Sequence, residues 1–200
     1  MATKVEIFNK ALGHIGSEAT VASPTEASVE AQQCNSFYDY ARRTALETHA
    51  WKFARTRILG ALTTYSYTSW EFIYQEPDNC ISVRAVLPDG YTNDQEDAAE
   101  FDCEAGPDGE RLILTNTENA TIVYTVDVED PQRFTPLFVE ALSWLLASYI
   151  AGPILKGDEG AKMSQQCFGV AMGMMGRGAS SSANQAKTKP LHTAPWIGAR

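Results

Sequence analysis

The spacing of apolar residues changes twice along this chain, and that change limits the possible folds more than any other feature. From Val5 to Ile15 apolar residues recur every three to four positions, as in a helix, and Gly16 follows as a stop. Over residues 57–130 the interval falls to two and the runs are rich in β-branched and aromatic residues, as in CISVRAVL and ATIVYTVDV. After Pro131 the helical interval returns. The sequence therefore predicts helices, then five or six strands, then helices.

Proline and glycine set the expected bounds of the other helices. Pro24-Thr25-Glu26 is predicted to open a second helix that ends near His49. Pro136 is predicted to open a third, which Gly152-Pro153 ends or bends. The fourth is expected from about Asp158 to Met175. Each terminal region thus contributes two helices.

Acidic residues are concentrated in the middle of the chain. The 200 residues include 16 Lys and Arg and 25 Asp and Glu, for a net charge of −9 and a pI near 4.8. Residues 61–130 hold sixteen of the acids and only two basic residues, whereas the flanking regions are slightly positive. The strand region is therefore predicted to be a module with its own surface, and a protein that grips nucleic-acid phosphate over its whole surface is excluded.

Together these patterns predict an α+β fold. We expect a helical bundle formed by the N- and C-terminal helices, with an inserted antiparallel β module and an extended C-terminal arm. The predicted segments are 1–56 and 131–177 for the two halves of the bundle, 57–130 for the acidic β module and 178–200 for the arm. The arm is rich in Gly, Ala and Ser, so it is either a frayed end or a segment that becomes ordered only against a partner.

Sequence motifs for catalysis and for metal or cofactor binding are missing. The four cysteines are far apart and no histidine pair accompanies them, so free buried thiols are expected rather than a zinc site. Glycines at 152 and 157 have the spacing of a phosphate-binding loop, but Asp158 stands where its lysine would be. The carboxylates between Asp94 and Glu104 are interpreted as a solvated loop. We predict no catalytic residue, no metal and no cofactor.

Two features point to contacts between chains. Arg42 and Arg43 lie on a helix that already has an apolar stripe, where a solvated charged face is the usual explanation. Gly169 and Gly173 lie among methionines and allow another helix to approach closely, from the same subunit or from a neighbour. These four residues are the candidates for a subunit interface.

Three short motifs resemble the head-to-tail adaptor proteins of short-tailed phages, the tail tubular protein A family. They are Ala11-Leu-Gly-His-Ile-Gly16, the segment Cys34–Leu46 with its C-x-x-x-Y-D-x-A-R-R-x-x-L pattern, and Trp51-Lys-Phe-Ala54. A W-x-x-x-Y-x-x-P-x-x-C pattern follows from Trp70 to Cys80. Residues 5–85 carry most of the similarity, and the chain length and the α-β-α order agree with it.

The resemblance implies a structural virion protein without catalysis, located in the phage tail after assembly in the host cytoplasm. Members form a ring, usually of about twelve copies, that joins the portal to the tail nozzle and leaves a channel for the genome. The implied partners are further copies of the chain, the portal protein and the tail nozzle protein, with tail fibres as a further candidate. DNA would pass without specific binding, and no membrane is involved. In the arm, contact with the portal or a neighbouring subunit is expected at Lys187, Lys189, Pro195, Trp196 and Ile197.

Three other functions stay open at this point. The first is a head-completion or connector protein of a long-tailed phage, although such proteins rarely carry a β insertion of this size. The second is a hydrolase that uses the carboxylates of residues 94–104. The third is a DNA-binding module that uses the basic cluster Arg42, Arg43, Lys52, Arg55 and Arg57, against which the net charge argues.

Two further expectations follow from the helices. Trp51 and Phe53 are predicted to lie in the core where the second helix meets the β module. The free protein is expected to be largely monomeric and to assemble on the portal, because amphipathic helices can bury their own apolar faces within one subunit.

Overall fold

A computed structural model of the protein describes residues 2–92 and 97–185, and this part of the chain has the predicted mixed α+β architecture. It contains four α-helices: α1 (Lys4–His14), α2 (Val29–Thr48), α3 (Pro136–Leu155) and α4 (Gly157–Ala183). Seven strands lie between α2 and α3: β1 (Arg55–Leu59), β2 (Ala61–Leu62), β3 (Phe72–Gln75), β4 (Cys80–Leu87), β5 (Phe101–Ala105), β6 (Arg111–Thr115) and β7 (Thr121–Val126). All strand pairs are antiparallel.

Local hydrogen bonds determine where the helices begin. Thr3 and Glu6 form a reciprocal capping box at the start of α1, and Thr135 caps α3 ahead of Pro136. The second helix does not open at Pro24 as predicted. It begins at Val29, because the Ser28 hydroxyl accepts from the Ala31 amide as the N-cap.

Helix α3 is the central helix of the structure and packs against α1, α2 and α4. Eleven of its 20 residues are buried, including Phe138, Leu142, Leu145 and Ile150. It is apolar on most sides instead of amphipathic, which is the pattern of a helix enclosed by others. By length and composition it is also the one helix among the described residues that could cross a membrane, and 61% of the tested stretch is buried inside the fold.

The β module consists of two sheets, with strand orders β1-β7-β4 and β2-β3-β6-β5. The sheets are connected at two places. Strand β1 continues through Gly60 into β2. Ala99, just before β5, forms a β-bridge with Val86 of β4. Residues from both sheets therefore share one core: Tyr74, Cys80, Val86, Ile113, Ala120, Ile122 and Tyr124. The prediction missed β5, because its alternating acids look like loop and most of its residues are exposed on the outer edge of the sheet.

Trp51 and Arg84 join the β module to the helices. The Trp51 side chain is 1% exposed, its Nε1 donates to the Ala45 carbonyl over 2.8 Å, and its ring meets Phe138 edge-on at 5.0 Å. Phe53 packs on the same core while partly exposed, so the predicted placement of both aromatics is confirmed. From β4, Arg84 Nη2 donates to the carbonyls of Glu47 and His49 at the C-terminal end of α2.

The C-terminal arm does not begin at Gly178. Helix α4 continues to Ala183, and Gly178 is buried within it. The Lys52 amide donates to the Ser182 hydroxyl over 2.9 Å, which fixes this last turn to the segment after α2. Gly178 permits this continuation, because its lack of a side chain lets α4 pass directly over the Trp51 ring.

The four cysteines are free, as expected. Cys34, Cys80 and Cys167 are buried, and burial raises the pKa of the first two thiols to about 12. Cys103 on β5 is exposed, contrary to the expectation of buried thiols throughout.

Candidate functional site

The outward face of α4 is the surface that differs most from an ordinary protein exterior. The helix is 27 residues long, packs mainly on α3, and has only six buried residues. Between Met163 and Gly176 it contains no charged residue, although much of this stretch is exposed. Phe168, Val170 and Met172 are 47%, 38% and 39% exposed. A solvent-facing helix normally carries charged and polar side chains on its outer face, so this face has the composition of a surface that a partner covers.

Gly169 and Gly173 lie on this outward face. A Cβ atom built on either glycine would meet no atom of another helix or strand within 4 Å. Close packing against another helix of the same subunit, one of the two explanations from the sequence, is therefore wrong for both. The small residues that α4 does use inside the chain are others: a Cβ on Gly160 would lie 3.0 Å from the Ala151 carbonyl oxygen, and one on Gly178 would lie 2.9 Å from the Trp51 ring.

Arg42 and Arg43 point in opposite directions. Arg42 is 3% exposed, and its guanidinium pairs with the Asp127 carboxylate and donates to the Val128 carbonyl. It thus joins α2 to the end of the β module inside one subunit, and the prediction that it lies at a subunit interface is wrong. The Arg43 side chain is 60% exposed, with its Nε 3.7 Å from Asp127, and remains accessible to a neighbour.

The outer face of α2 also exposes large apolar side chains. Val29 is 61% and Tyr40 63% exposed, and the Tyr40 ring rests at 5.4 Å from Tyr149 of α3. Tyr40 was not predicted to be exposed, because it follows the aromatic residues Phe37 and Tyr38 of the apolar stripe. The helical interval from Tyr38, which is buried, was the usable clue.

A polar cluster between α1 and α3 is the arrangement that most resembles a catalytic site. The His14 ring stacks on Trp144 with centroids 3.6 Å apart, and its Nε2 lies 3.0 Å from the Ser143 hydroxyl. Glu140 accepts from Lys10 Nζ over 2.9 Å and from Trp144 Nε1 over 3.1 Å. Burial lowers the pKa of His14, which the Glu140 charge partly offsets, and the hydrogen bond from Lys10 lowers the pKa of Glu140.

The geometry of this cluster is unsuited to a Ser-His-acid mechanism. In a triad, the two ring nitrogens of the histidine face the serine and the acid separately. Here the same atom, His14 Nε2, faces both the Ser143 hydroxyl and a Glu140 oxygen at 3.7 Å. Ser143 is fully buried and donates its proton to the Glu140 carbonyl, so no substrate atom can reach it. The cluster instead fastens α1 to α3.

Beside this cluster, a groove of about 840 Å³ runs between α1 and the start of α3. Its walls combine Ala2, Phe134, Pro136 and Val139 with the polar side chains of Glu6, Asn9, Lys10 and Gln132. The groove is open and contains no buried charged pair aimed into it, so it offers contact area instead of a reactive centre.

The remaining predicted sites separate in space or lie outside the described residues. The basic cluster does not form one face, since Arg42 is buried and Arg57 donates to the Thr92 carbonyl of the β module. Among residues 2–92 and 97–185 no three His, Cys, Asp or Glu side chains are placed to hold a metal ion. The arm residues Lys187, Lys189, Pro195, Trp196 and Ile197, and part of the 94–104 segment, lie outside the described part.

Comparison with known proteins adds no assignment. No protein-family model matches the chain, and a search of curated proteins finds no relative. The similarity of the three N-terminal motifs to phage adaptors therefore stays a prediction.

Proposed function

We propose that this chain is a structural protein of a short-tailed phage that forms an adaptor ring between the portal and the tail nozzle. The observation that carries the proposal is the uncharged, exposed face of α4 over residues 163–176. A face of this composition, several helical turns long, favours burial against another chain. In a ring, the neighbouring subunit would cover this face, whereas in a monomeric enzyme it would stay exposed to solvent.

The segments that carry the family resemblance support the same proposal. Ala11–Gly16 ends α1, Cys34–Leu46 forms most of α2, and Trp51–Ala54 connects α2 to the β module. In each, the buried residues Leu12, Ile15, Leu46 and Trp51 belong to the one core around α3. The three motifs thus encode a single packed unit instead of three unrelated similarities.

The acidic β module agrees with a role beside a DNA channel. Exposed carboxylates occur on β5, at Asp102 and Glu104, on the sheet edge farthest from β2. A ring would multiply around its axis the net charge of −14 that residues 61–130 carry. Such a surface repels phosphate, so that the genome would slide past without binding.

The connector of a long-tailed phage is the closest alternative, since it would use the same helical contacts. The size of the β module favours the adaptor, because connectors of long-tailed phages rarely carry such an insertion, and this one has seven strands and a core of its own. In this proposal the arm contacts the portal or a neighbouring subunit through Lys187, Lys189, Pro195, Trp196 and Ile197.

Imaging of a complex with the portal tests the proposal. The purified chain would be mixed with purified portal protein from the same genome and examined by negative-stain microscopy. An added ring on one end of the portal, with the portal's axial symmetry, is expected. A matched variant, Met172→Glu, places a charge on the α4 face and should prevent ring formation while the subunit stays folded. Portals that remain bare with the unmodified chain would contradict the proposal.

A further inference from the structure

We propose that the outer face of α2 in one copy packs against the outer face of α4 in the next copy, with Tyr40 seated over Gly169 and Gly173. The inference rests on the proposed function, because it names the contact through which the ring would form. The two faces are different surfaces of the same chain. Their contact is therefore heterologous and repeats head to tail, as a closed ring requires.

The α2 face is a continuous strip along one side of the helix. Val29, Ser36, Tyr40, Arg43 and Glu47 follow one another at intervals of seven, four, three and four residues, which places them on one side. All five are exposed or partly exposed, whereas the buried residues of α2 lie on the opposite side. Tyr40 is the one aromatic residue of this strip, and its ring lies beside Tyr149 of α3 while 63% of it stays exposed.

The α4 face offers a matching depression. Gly169 and Gly173 are one helical turn apart and have no side chains, while Phe168 and Met172 rise beside them. A tyrosine ring laid over two glycines contacts backbone directly, and its edges contact Phe168 and Met172. This is the packing of a projecting side chain into a gap on the facing helix.

Charge selects the direction of the pairing. In the antiparallel direction, Glu47 can face Lys162, and both side chains are exposed. Seven residues away, about 10 Å toward the N-terminus of α2 and the C-terminus of α4, Tyr40 then faces Gly169. One further helical turn in the same direction, Ser36 faces Gly173. Arg43 faces Gln166, so no like charges meet. In the parallel direction, a pair between Glu47 and Arg177 would place Tyr40 at Val170, away from the glycines.

Both faces are exposed enough to be covered by a second copy of the chain. Tyr40 and Val29 are more than 60% exposed on one face, and Phe168 and Met172 about 40% exposed on the other. The α2 face carries a tyrosine where the α4 face has a gap at Gly169 and Gly173, so the two faces complement each other.

Cysteine crosslinking between two single variants tests the pairing. Both would carry Cys103→Ser, since Cys103 is the exposed thiol of the described chain. One adds Tyr40→Cys and the other Gly169→Cys; both sites are exposed, and equal melting temperatures would confirm that the variants fold. At about 1 mM total protein with a mild oxidant, even a weak contact is substantially populated. We expect a disulfide-linked dimer of the two variants in the mixture and much less in either variant alone.

A control cysteine site and a charge swap test whether the crosslink depends on this pairing. Glu18→Cys, on the exposed loop after α1, replaces Tyr40→Cys as the matched control and should give no crosslink with Gly169→Cys. Glu47→Lys should lower the crosslink yield several-fold, and Lys162→Glu on the partner should restore it. Equal crosslinking by Tyr40→Cys alone, or no crosslink in the mixture either free or bound to portal, would overturn the pairing. The adaptor proposal survives that result if portal still captures the chain; conversely, crosslinks without portal capture would refute the adaptor and leave the pairing intact.

Discussion

Trp51 holds the three parts of the molecule together, so its removal should cost more than that of any surface residue. The ring is 1% exposed, lies edge-on to Phe138, and supports the turn of α4 at Gly178. Replacing a buried large aromatic by alanine costs about 3–5 kcal/mol. The lost hydrogen bond to the Ala45 carbonyl, worth ~1 kcal/mol, places Trp51→Ala toward the upper end.

Urea unfolding of the free chain, followed by circular dichroism at 222 nm, measures this cost. For a domain of this size, 3–5 kcal/mol corresponds to a melting temperature lower by roughly 6–20 °C. Trp51→Phe is the matched control, because it keeps an aromatic ring in the site and loses the hydrogen bond, so ~1–2 kcal/mol is expected. A loss below ~1 kcal/mol for Trp51→Ala would refute the reasoning, since it would mean that the ring does not carry the junction.

Four other perturbations give distinct expected results. Arg42→Ala removes the hydrogen-bonded partner of the partly buried Asp127 carboxylate and leaves only the looser contact with Arg43, so it should lower the free energy of unfolding by about 3 kcal/mol, the lower end for breaking a buried pair. Arg43→Ala should change it by less than ~0.5 kcal/mol in the same urea titration. Gly178→Val should cost about 1–3 kcal/mol by thermal melting, because its Cβ would collide with the Trp51 ring. Burial lowers the pKa of His14 below its usual 6.5, so the unfolded chain binds a proton more readily than the folded chain. Stability should therefore fall as the pH drops below about 6.5. His14→Gln should reduce the change in the urea midpoint between about pH 7.5 and pH 5. Deletion of residues 186–200 should leave melting nearly unchanged but strongly weaken capture by immobilised portal; unchanged capture would show that the arm is not a contact.

The fold class followed from the sequence because periodicity directly reports which side of an element is buried. The helical interval before Gly16 and the period of two in CISVRAVL needed no tertiary information. The edge strand β5 could not be found this way, since neither of its faces is fully buried and its acids resemble a loop. The start of α2 was predicted at Pro24 but lies at Val29, because the Ser28 side chain is the N-cap and accepts from the Ala31 amide.

Prediction of the candidate site was limited by contacts between distant parts of the chain. Arg42 and Arg43 are adjacent in sequence, and the Asp127 carboxylate lies within 4 Å of both. Arg42 is buried because its side of α2 packs on the chain after β7, 85 residues away, whereas Arg43 faces outward. The exposure of Gly169 and Gly173 likewise depends on which side of α4 packs on α3. The composition of α4 identified a helix suited to close contact, but the direction of that contact requires the three-dimensional structure.

The most direct test of the central claim, that this chain assembles as a ring on a portal, is the mass of the complex in solution. Light scattering coupled to size exclusion would be recorded for the chain alone, for the portal alone and for their mixture. The account predicts a chain of 21.9 kDa that is monomeric by itself, and a mixture in which the portal gains the mass of about twelve chains. A mixture that elutes as unchanged portal and unchanged monomer would contradict it.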